Sequence, residues 1–196
     1  MKTPKPKTCR VCSRMFEPRS STQIVCSIQC SILRNRGKET KAKRERKKAD
    51  LERMKTLSDH HKETQAIFNR WVRLRDQGLP CISCNRDTGS QRHAGHFKPV
   101  GGFPELRYNP DNVHSQCAHC NDWLSGNLAL YRARLLEKIG PERLERLEGP
   151  SEPRQYRVEE LKAIQTEYKA KIRELKAKMA GISTGISVMA HHNKIS

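Results

Sequence analysis

The stretch from Cys81 to Asn121, CISCNRDTGSQRHAGHFKPVGGFPELRYNPDNVHSQCAHCN, decides how this chain reads. It opens on one C-x2-C pair, Cys81 and Cys84, and closes on another, Cys117 and Cys120, with 32 residues between them. Two tight cysteine pairs bring four thiolates onto a tetrahedral zinc ion, filling every coordination position and leaving none for chemistry. A metal held there is expected to be structural. The insert between the pairs is rich in Gly, Pro, Asn and His and has too few aliphatics for long elements, as in a site built on loops and short hairpins. His93 and His96 lie among small residues, while Asn112, His114, His119 and Asn121 gather around the second pair.

Upstream, Cys9, Cys12, Cys26 and Cys30 repeat the theme as C-x2-C-x13-C-x3-C. A second structural zinc is expected, acting as a substitute core, because Val11, Phe16, Ile24 and Val25 are almost all that module has to bury. Between the two cysteine sets runs KETKAKRERKKADLERMK, Lys38 to Lys55, with almost no aliphatic stripe; as a helix it is a solvated rod. That run fits a charged spacer and a phosphate-tracking arm equally, with Lys41, Lys43, Arg44, Arg46, Lys47 and Lys48 as candidate phosphate contacts.

The whole chain of 196 residues carries 39 Lys and Arg against 21 Asp and Glu, a net charge of +18. Residues 1–55 hold 17 of the basic and 5 of the acidic side chains, so +12 of that charge sits in the first quarter. Such a balance suits a polyanionic partner. With 35% hydrophobic and 5% aromatic residues the chain can build one or two small cores, which argues against a large α/β enzyme. No run of 18 apolar residues exists, and MKTPKPKTCR lacks the apolar stretch of a secretory signal. An intracellular protein without a membrane partner is expected, in which eight cysteines read as metal ligands rather than disulfides.

Helical periodicity appears on either side of the central stretch. Ile67, Phe68, Trp71, Val72 and Leu74 predict a helix capped by Ser58 or Asp59 and stopped at Gly78, with Phe68 and Trp71 in its core face. NLALYRARLLEKIG and PERLERLEG predict two helices broken at Gly140 and Pro141. A last helix is expected over Val158 to Met179, with Leu161, Ile164, Tyr168, Ile172 and Leu175 on one face. The expected architecture is a small zinc-bound α+β protein. Its segments are an N-terminal zinc module (1–35), a basic helical connector (36–56), a second zinc-containing module (57–150), a C-terminal helix (151–180) and a disordered tail (181–196).

The order His96-Phe97-Lys98-Pro99, Asn112 five residues before Cys117, and Asn121 directly after Cys120 resembles the His-Asn-His (HNH-like) nuclease pattern in a zinc-bound treble-clef frame. CISC, AGHF, LRYNPDNVHSQCAHCN, SGN and YRARLLEKIG together resemble the NinG (Rap) family of lambdoid phage recombination proteins, over nearly all of the chain to about residue 179. That resemblance implies a structure-specific endonuclease acting on D-loops and Holliday junctions in the cytoplasm of a bacterial host, with branched DNA and host or phage recombination proteins as partners. It implies His96 as general base, Asn112 as the residue orienting it, and Asn121 as ligand of a catalytic Mg²⁺ or Mn²⁺. Arg92, Lys98 and Arg107, and also Arg132, lie near enough in sequence to contact phosphates.

One position departs from the pattern. Gly95 stands where related nucleases commonly carry a metal-binding Asp. His93, where NinG relatives often place an acidic residue, is the candidate replacement, and an imidazole ligand favours Mn²⁺ or another transition metal over Mg²⁺. Asp87 and Asp111 are alternative carboxylates. His114 fits a packing role or a catalytic one, His119 a supporting or exposed one, and His60, His61, His191 and His192 read as solvent-exposed. The last helix is a candidate pairing face for a homodimer. Two rival readings remain: a non-catalytic zinc-dependent DNA-binding adaptor, and an RNA-binding zinc protein.

Overall fold

A computed structural model describes residues 5–87, 89 and 91–190, with side chains up to residue 181. The chain forms two compact units, Met1–Lys55 and Thr56–Ser196. In the first, strands β1 (Lys7–Thr8) and β2 (Met15–Phe16) pair antiparallel, and helix α1 runs from Ile28 to Arg53. Ser27 caps α1 by accepting the Cys30 amide on its side chain, so one cysteine of the first set sits in the helix's first turn. The basic connector is thus the same helix as the end of the cysteine module, and the expected segments 1–35 and 36–56 form one unit up to Lys55, with Thr56 in the second.

The second unit begins with α2 (Leu57–Arg75). Its cap is Thr56, not Ser58 or Asp59: the Thr56 hydroxyl accepts the Asp59 amide while the Asp59 carboxylate accepts the Thr56 amide. Asp59 is the reciprocal partner of a capping box, which a search for a single cap residue does not separate from the cap. Strands β3 (Arg92–His96) and β4 (Val113–Cys117) pair antiparallel, with Arg92 opposite Cys117, Gly95 opposite His114 and His96 opposite Val113. Helices α3 (Leu128–Ile139) and α4 (Pro141–Glu148) follow, hinged at Gly140, whose φ of +82° suits glycine.

Helix α5 extends from Val158 to Ala190, well past Met179. The expected disordered tail is therefore helical over residues 181–190; its remainder, with His191 and His192, lies outside the described residues. Backbone bonding continues where the apolar face stops, so the loss of periodicity does not mark the end of the element.

Two cores hold this unit. Phe68, Trp71 and Val72 of α2 pack with Tyr108, Val113 and Tyr156, and with Leu161, Tyr168 and Ile172 of α5. Ile82 and Phe97 pack with Tyr131, Leu135 and Ile139 of α3, and with Leu144 and Leu147 of α4. The apolar face of α5 is thus covered by α2 within the same chain, which removes the ground for reading it as a dimer face.

The histidines of α2 are not exposed. His60 is buried, and His61 hydrogen-bonds the Tyr108 hydroxyl at 3.0 Å while stacking on its ring. Tyr108 and Tyr156 cover His61 from segments far downstream, a contact that the sequence of α2 does not show.

Asp76, at the end of α2, ties the hairpin to both cores. Its carboxylate accepts from Arg75, from the Ser115 amide at 2.9 Å and from Lys138 of α3 at 3.0 Å. Burial opposes its ionisation, but Arg75, the amide and Lys138 prevail and hold its pKa at about 2. Asp76→Ala leaves Arg75 and Lys138 uncompensated, so a loss of about 3–5 kcal/mol in denaturant unfolding is expected. Because this carboxyl is depressed in the folded state, its stabilisation is complete above the unfolded value near 3.9 and fades as pH falls toward 2.

Candidate functional site

The cysteines converge as expected. In each set the four Sγ atoms lie within 4.8 Å of one another. A tetrahedral ion with Zn–S bonds of about 2.3 Å sets its sulfurs about 3.8 Å apart. Cys12 and Cys26 are 3.5 Å apart, Cys26 and Cys30 3.6 Å, and Cys84 and Cys117 3.9 Å. Both groups can hold zinc.

The two knuckles are copies of one turn. The Cys9 amide donates to the Arg14 carbonyl and the Ser13 amide to the Cys9 carbonyl; the Cys81 amide donates to Arg86 and the Asn85 amide to Cys81. Ser13 (φ +59°) and Asn85 (φ +56°) both take the left-handed conformation. The sequences CRVCSR and CISCNR are therefore a structural repeat within a composition that shows none at longer range. Amides also point at sulfur, Cys26 to Cys9 at 3.4 Å and Cys117 to Cys81 at 3.3 Å. Backbone amides, that of Cys12 foremost, bring the Cys9 thiol down to about 6. At Cys81 burial pushes upward, yet the amides of Cys117, Cys84 and Ser83 bring it to about 7. Both shifts favour the thiolate that a metal binds.

On β3, side chains alternate, so His93 and Gly95 share one face and Ala94 and His96 the other. On the first face His93 Nδ1 lies 3.2 Å from an Asp122 carboxylate oxygen and 3.3 Å from the Asn121 amide nitrogen, which also donates to Asp122 at 2.5 Å. Asn121 and Asp122 are placed by a π-helical turn, His119–Trp123, directly after the second knuckle, a winding that recurs at functional sites. Asp122 is the carboxylate of this cluster. Asp87 pairs with Arg92, and Asp111 with Arg143, so neither of the two carboxylates expected from sequence takes part.

His96 stands on the opposite face of the strand, one residue from Gly95. Its Nε2 lies 3.1 Å from the Arg107 carbonyl, an acceptor that requires Nε2 to carry the proton and leaves Nδ1 as the basic nitrogen. Burial pushes its pKa below the usual imidazole value, with the Arg107 charge adding to the effect and the carbonyl bond opposing it.

Asn112 is fully buried and does not touch the ring. Its side chain accepts the Lys98 amide at 2.7 Å and donates to the Lys98 and Leu106 carbonyls, while its carbonyl accepts the Phe97 amide. It fixes the backbone that leaves His96. His114 is buried against the Tyr131 hydroxyl, and burial lowers its pKa to about 3, too weak a base for work near neutrality. His119 is exposed.

Lys41, Lys43, Arg44, Arg46, Lys47 and Lys48 of α1 are exposed. Those near the hairpin are less free: Arg92 pairs with Asp87, Lys98 lies over the Phe103 ring, Arg107 donates to Gln65, and Arg132 pairs with Glu148. Trp123, 81% exposed and adjacent to Asp122, is a feature of the site that helical spacing alone does not flag.

The family model of the bacteriophage lambda NinG protein matches residues 1–178. The chain is 34% identical over 183 residues to protein ninG of Escherichia phage lambda, covering 84% of this chain and 90% of that one. Over the same length it is 34% identical to protein ninG of Salmonella phage P22. To protein ninG of Escherichia phage 933W it is 32% identical over 194 residues, covering 90% and 96%. No solved structure matches.

Proposed function

This chain belongs to the NinG family of phage proteins, and from that premise we propose that it is a metal-dependent endonuclease that cuts branched DNA in the host cytoplasm. The observation that carries the proposal is His96: a neutral imidazole with its proton committed to a backbone carbonyl and Nδ1 left free, on the same short strand as His93 of the Asn121 and Asp122 cluster and on the opposite face of it. The order of knuckle, hairpin, second knuckle and helical turn supports reading the module as an HNH-like treble clef.

In this reading His96 Nδ1 takes the proton of a water that attacks phosphorus in line, the bond to the 3′ oxygen breaks, and that oxygen leaves protonated by solvent. Asn112 keeps His96 in place through Phe97 and Lys98. His93, Asn121 and Asp122 offer one imidazole and two oxygen-bearing groups, which fit Mn²⁺ or Mg²⁺. A bound divalent ion neutralises the charge that develops on the phosphate and the leaving oxygen. Among the described residues no helix is long and apolar enough to cross a membrane.

The test incubates purified protein with a labelled four-way junction, a D-loop and a linear duplex, in Mg²⁺, Mn²⁺ or EDTA, beside His96→Ala. Divalent-dependent nicking of the branched substrates by the wild type alone is expected. Binding without cutting by both proteins supports the adaptor reading instead, and preference for structured RNA the RNA-binding one.

Helix α1 would supply affinity. Replacing Lys41, Lys43, Arg44, Arg46, Lys47 and Lys48 by alanine is expected to flatten the plot of log K against log salt by as much as about five, at about 0.9 per phosphate contact. An unchanged slope in a fluorescence-anisotropy titration would make α1 a spacer.

A further inference from the structure

Gln116, paired with His93, lies diagonally across the β3–β4 hairpin from Gly95, on the side that holds His93. A Cβ placed on Gly95 would come 2.0 Å from Gln116 Oε1 and 2.9 Å from Asn121 Oδ1. No side chain fits there while Gln116 keeps its position. The glycine, standing where related nucleases commonly carry Asp, therefore opens a gap that the amide of Gln116 occupies from the opposite strand.

The orientation of that amide is fixed by its neighbours. Gln116 is fully buried, and its Nε2 donates to the Gly126 carbonyl at 2.5 Å and to the Ser83 hydroxyl at 2.6 Å. A backbone carbonyl only accepts, so the NH₂ group must point at Gly126 and the oxygen must point at the gap. Gln116 Oε1 has no hydrogen-bond partner, an uncommon state for a buried acceptor and a costly one. Asn121 is set the same way: its NH₂ faces the Asp122 carboxylate and His93, so Oδ1 faces Gly95. Both amide oxygens thus lie beside Gly95 and within about 5 Å of each other, a span that a divalent ion with bonds of about 2.0–2.6 Å bridges.

We propose that Gln116 is a ligand of the catalytic divalent ion, supplying through Oε1 the oxygen that the pattern's Asp would have supplied from position 95. The ion's catalytic role rests on the nuclease reading; the cation site itself stands on the orphaned Gln116 oxygen and the Asn121 oxygen beside it. The ligand set is then Gln116 Oε1 and Asn121 Oδ1, with His93 and Asp122 at the solvent side. A neutral oxygen in place of a carboxylate lowers the charge of the set and predicts weaker cation binding than a site with Asp at position 95.

The test uses zinc-loaded full-length protein without DNA. Mn²⁺ is titrated by electron paramagnetic resonance, and the side-chain amide signals of Gln116 and Asn121 are followed by NMR with substoichiometric Mn²⁺. One bound Mn²⁺ and selective broadening of both amide signals are expected in the wild type. Gln116→Met and Gly95→Ala are each expected to weaken Mn²⁺ binding at least tenfold with both zinc ions retained. The NMR measurement needs no variant, so misfolding of Gln116→Met leaves the proposal testable. Absence of Mn²⁺ binding to the wild type, broadening at Asn121 without Gln116, or unchanged affinity in folded Gln116→Met overturns it. Junction cleavage is scored separately: cutting with unchanged Mn²⁺ affinity in Gln116→Met sinks this inference and leaves the nuclease reading intact, while Mn²⁺ held through Gln116 without cutting does the reverse.

Discussion

Stripping the metal from Cys9, Cys12, Cys26 and Cys30 is expected to unfold residues 5–27 outright while α2 and α5 stay packed together. In that module Cys9, Pro18 and Cys30 are the buried residues among those described, and Val11, Phe16, Ile24 and Val25 are only half-buried. Each of its strands has two residues, too short a hairpin to be stable alone. Zinc coordination in small modules contributes about 10–16 kcal/mol, comparable to the whole stability of an ordinary domain, so its loss leaves nothing that can hold the turn. The second unit differs, because Phe68, Trp71, Val72, Leu161, Tyr168 and Ile172 form a core independent of Cys81, Cys84, Cys117 and Cys120. Amide NMR spectra recorded during chelator titration check this: signals from residues 5–27 should collapse to random-coil positions while those of α2 and α5 remain dispersed. Dispersed signals from residues 5–27 in metal-free protein would show that the apolar residues suffice. Cys12→Ser should produce the same local loss and lower the zinc content from two ions per chain to one.

The second large effect concerns catalysis. His96→Ala is expected to lower the rate of junction cleavage by about 10²–10⁴-fold, the usual contribution of a general base, with junction affinity unchanged. The pH profile gives a finer check. Burial first, and the Arg107 charge after it, hold the His96 pKa below 6.5, while the Arg107 carbonyl pulls the other way. Protonation removes the basic Nδ1 lone pair, so the rate should stay level from pH 8 down through 6.5 and fall only at lower pH. A midpoint at or above 6.5 would mean that another group limits the reaction. Equal nicking by wild type and His96→Ala would remove His96 from the chemistry.

Several parts of this architecture were legible without coordinates, for reasons that are local. Four thiolates in short-spaced pairs have few arrangements other than a metal knuckle, and both sets converge as that spacing demands. The face containing Ile67, Phe68, Trp71 and Val72 needs only the 3.6-residue period to be recognised, and it packs on the face of α5 read in the same way. The break at Gly140 and Pro141 follows from backbone chemistry alone.

Other features depend on contacts between distant segments. His61 reads as a surface residue because the tyrosines that cover it lie more than 40 positions downstream, at Tyr108 and Tyr156. Asp122 reads as an ordinary polar residue until a π turn swings it and Asn121 toward His93. Gln116 reads as one polar residue of a short strand, and its meaning comes from the register that sets β4 against β3 together with the turn that brings Gly126 beneath its amide.

The two cysteine frames, the two apolar helices, the basic run and the candidacy of His96 can be read along the chain, because each is a matter of spacing within one segment. The oxygens that lie beside Gly95, the cations that are already paired and the histidines that are buried follow from packing between distant segments. Those depend on strand register and helix phase, where a shift of one residue turns a side chain to the opposite face and dissolves the cluster.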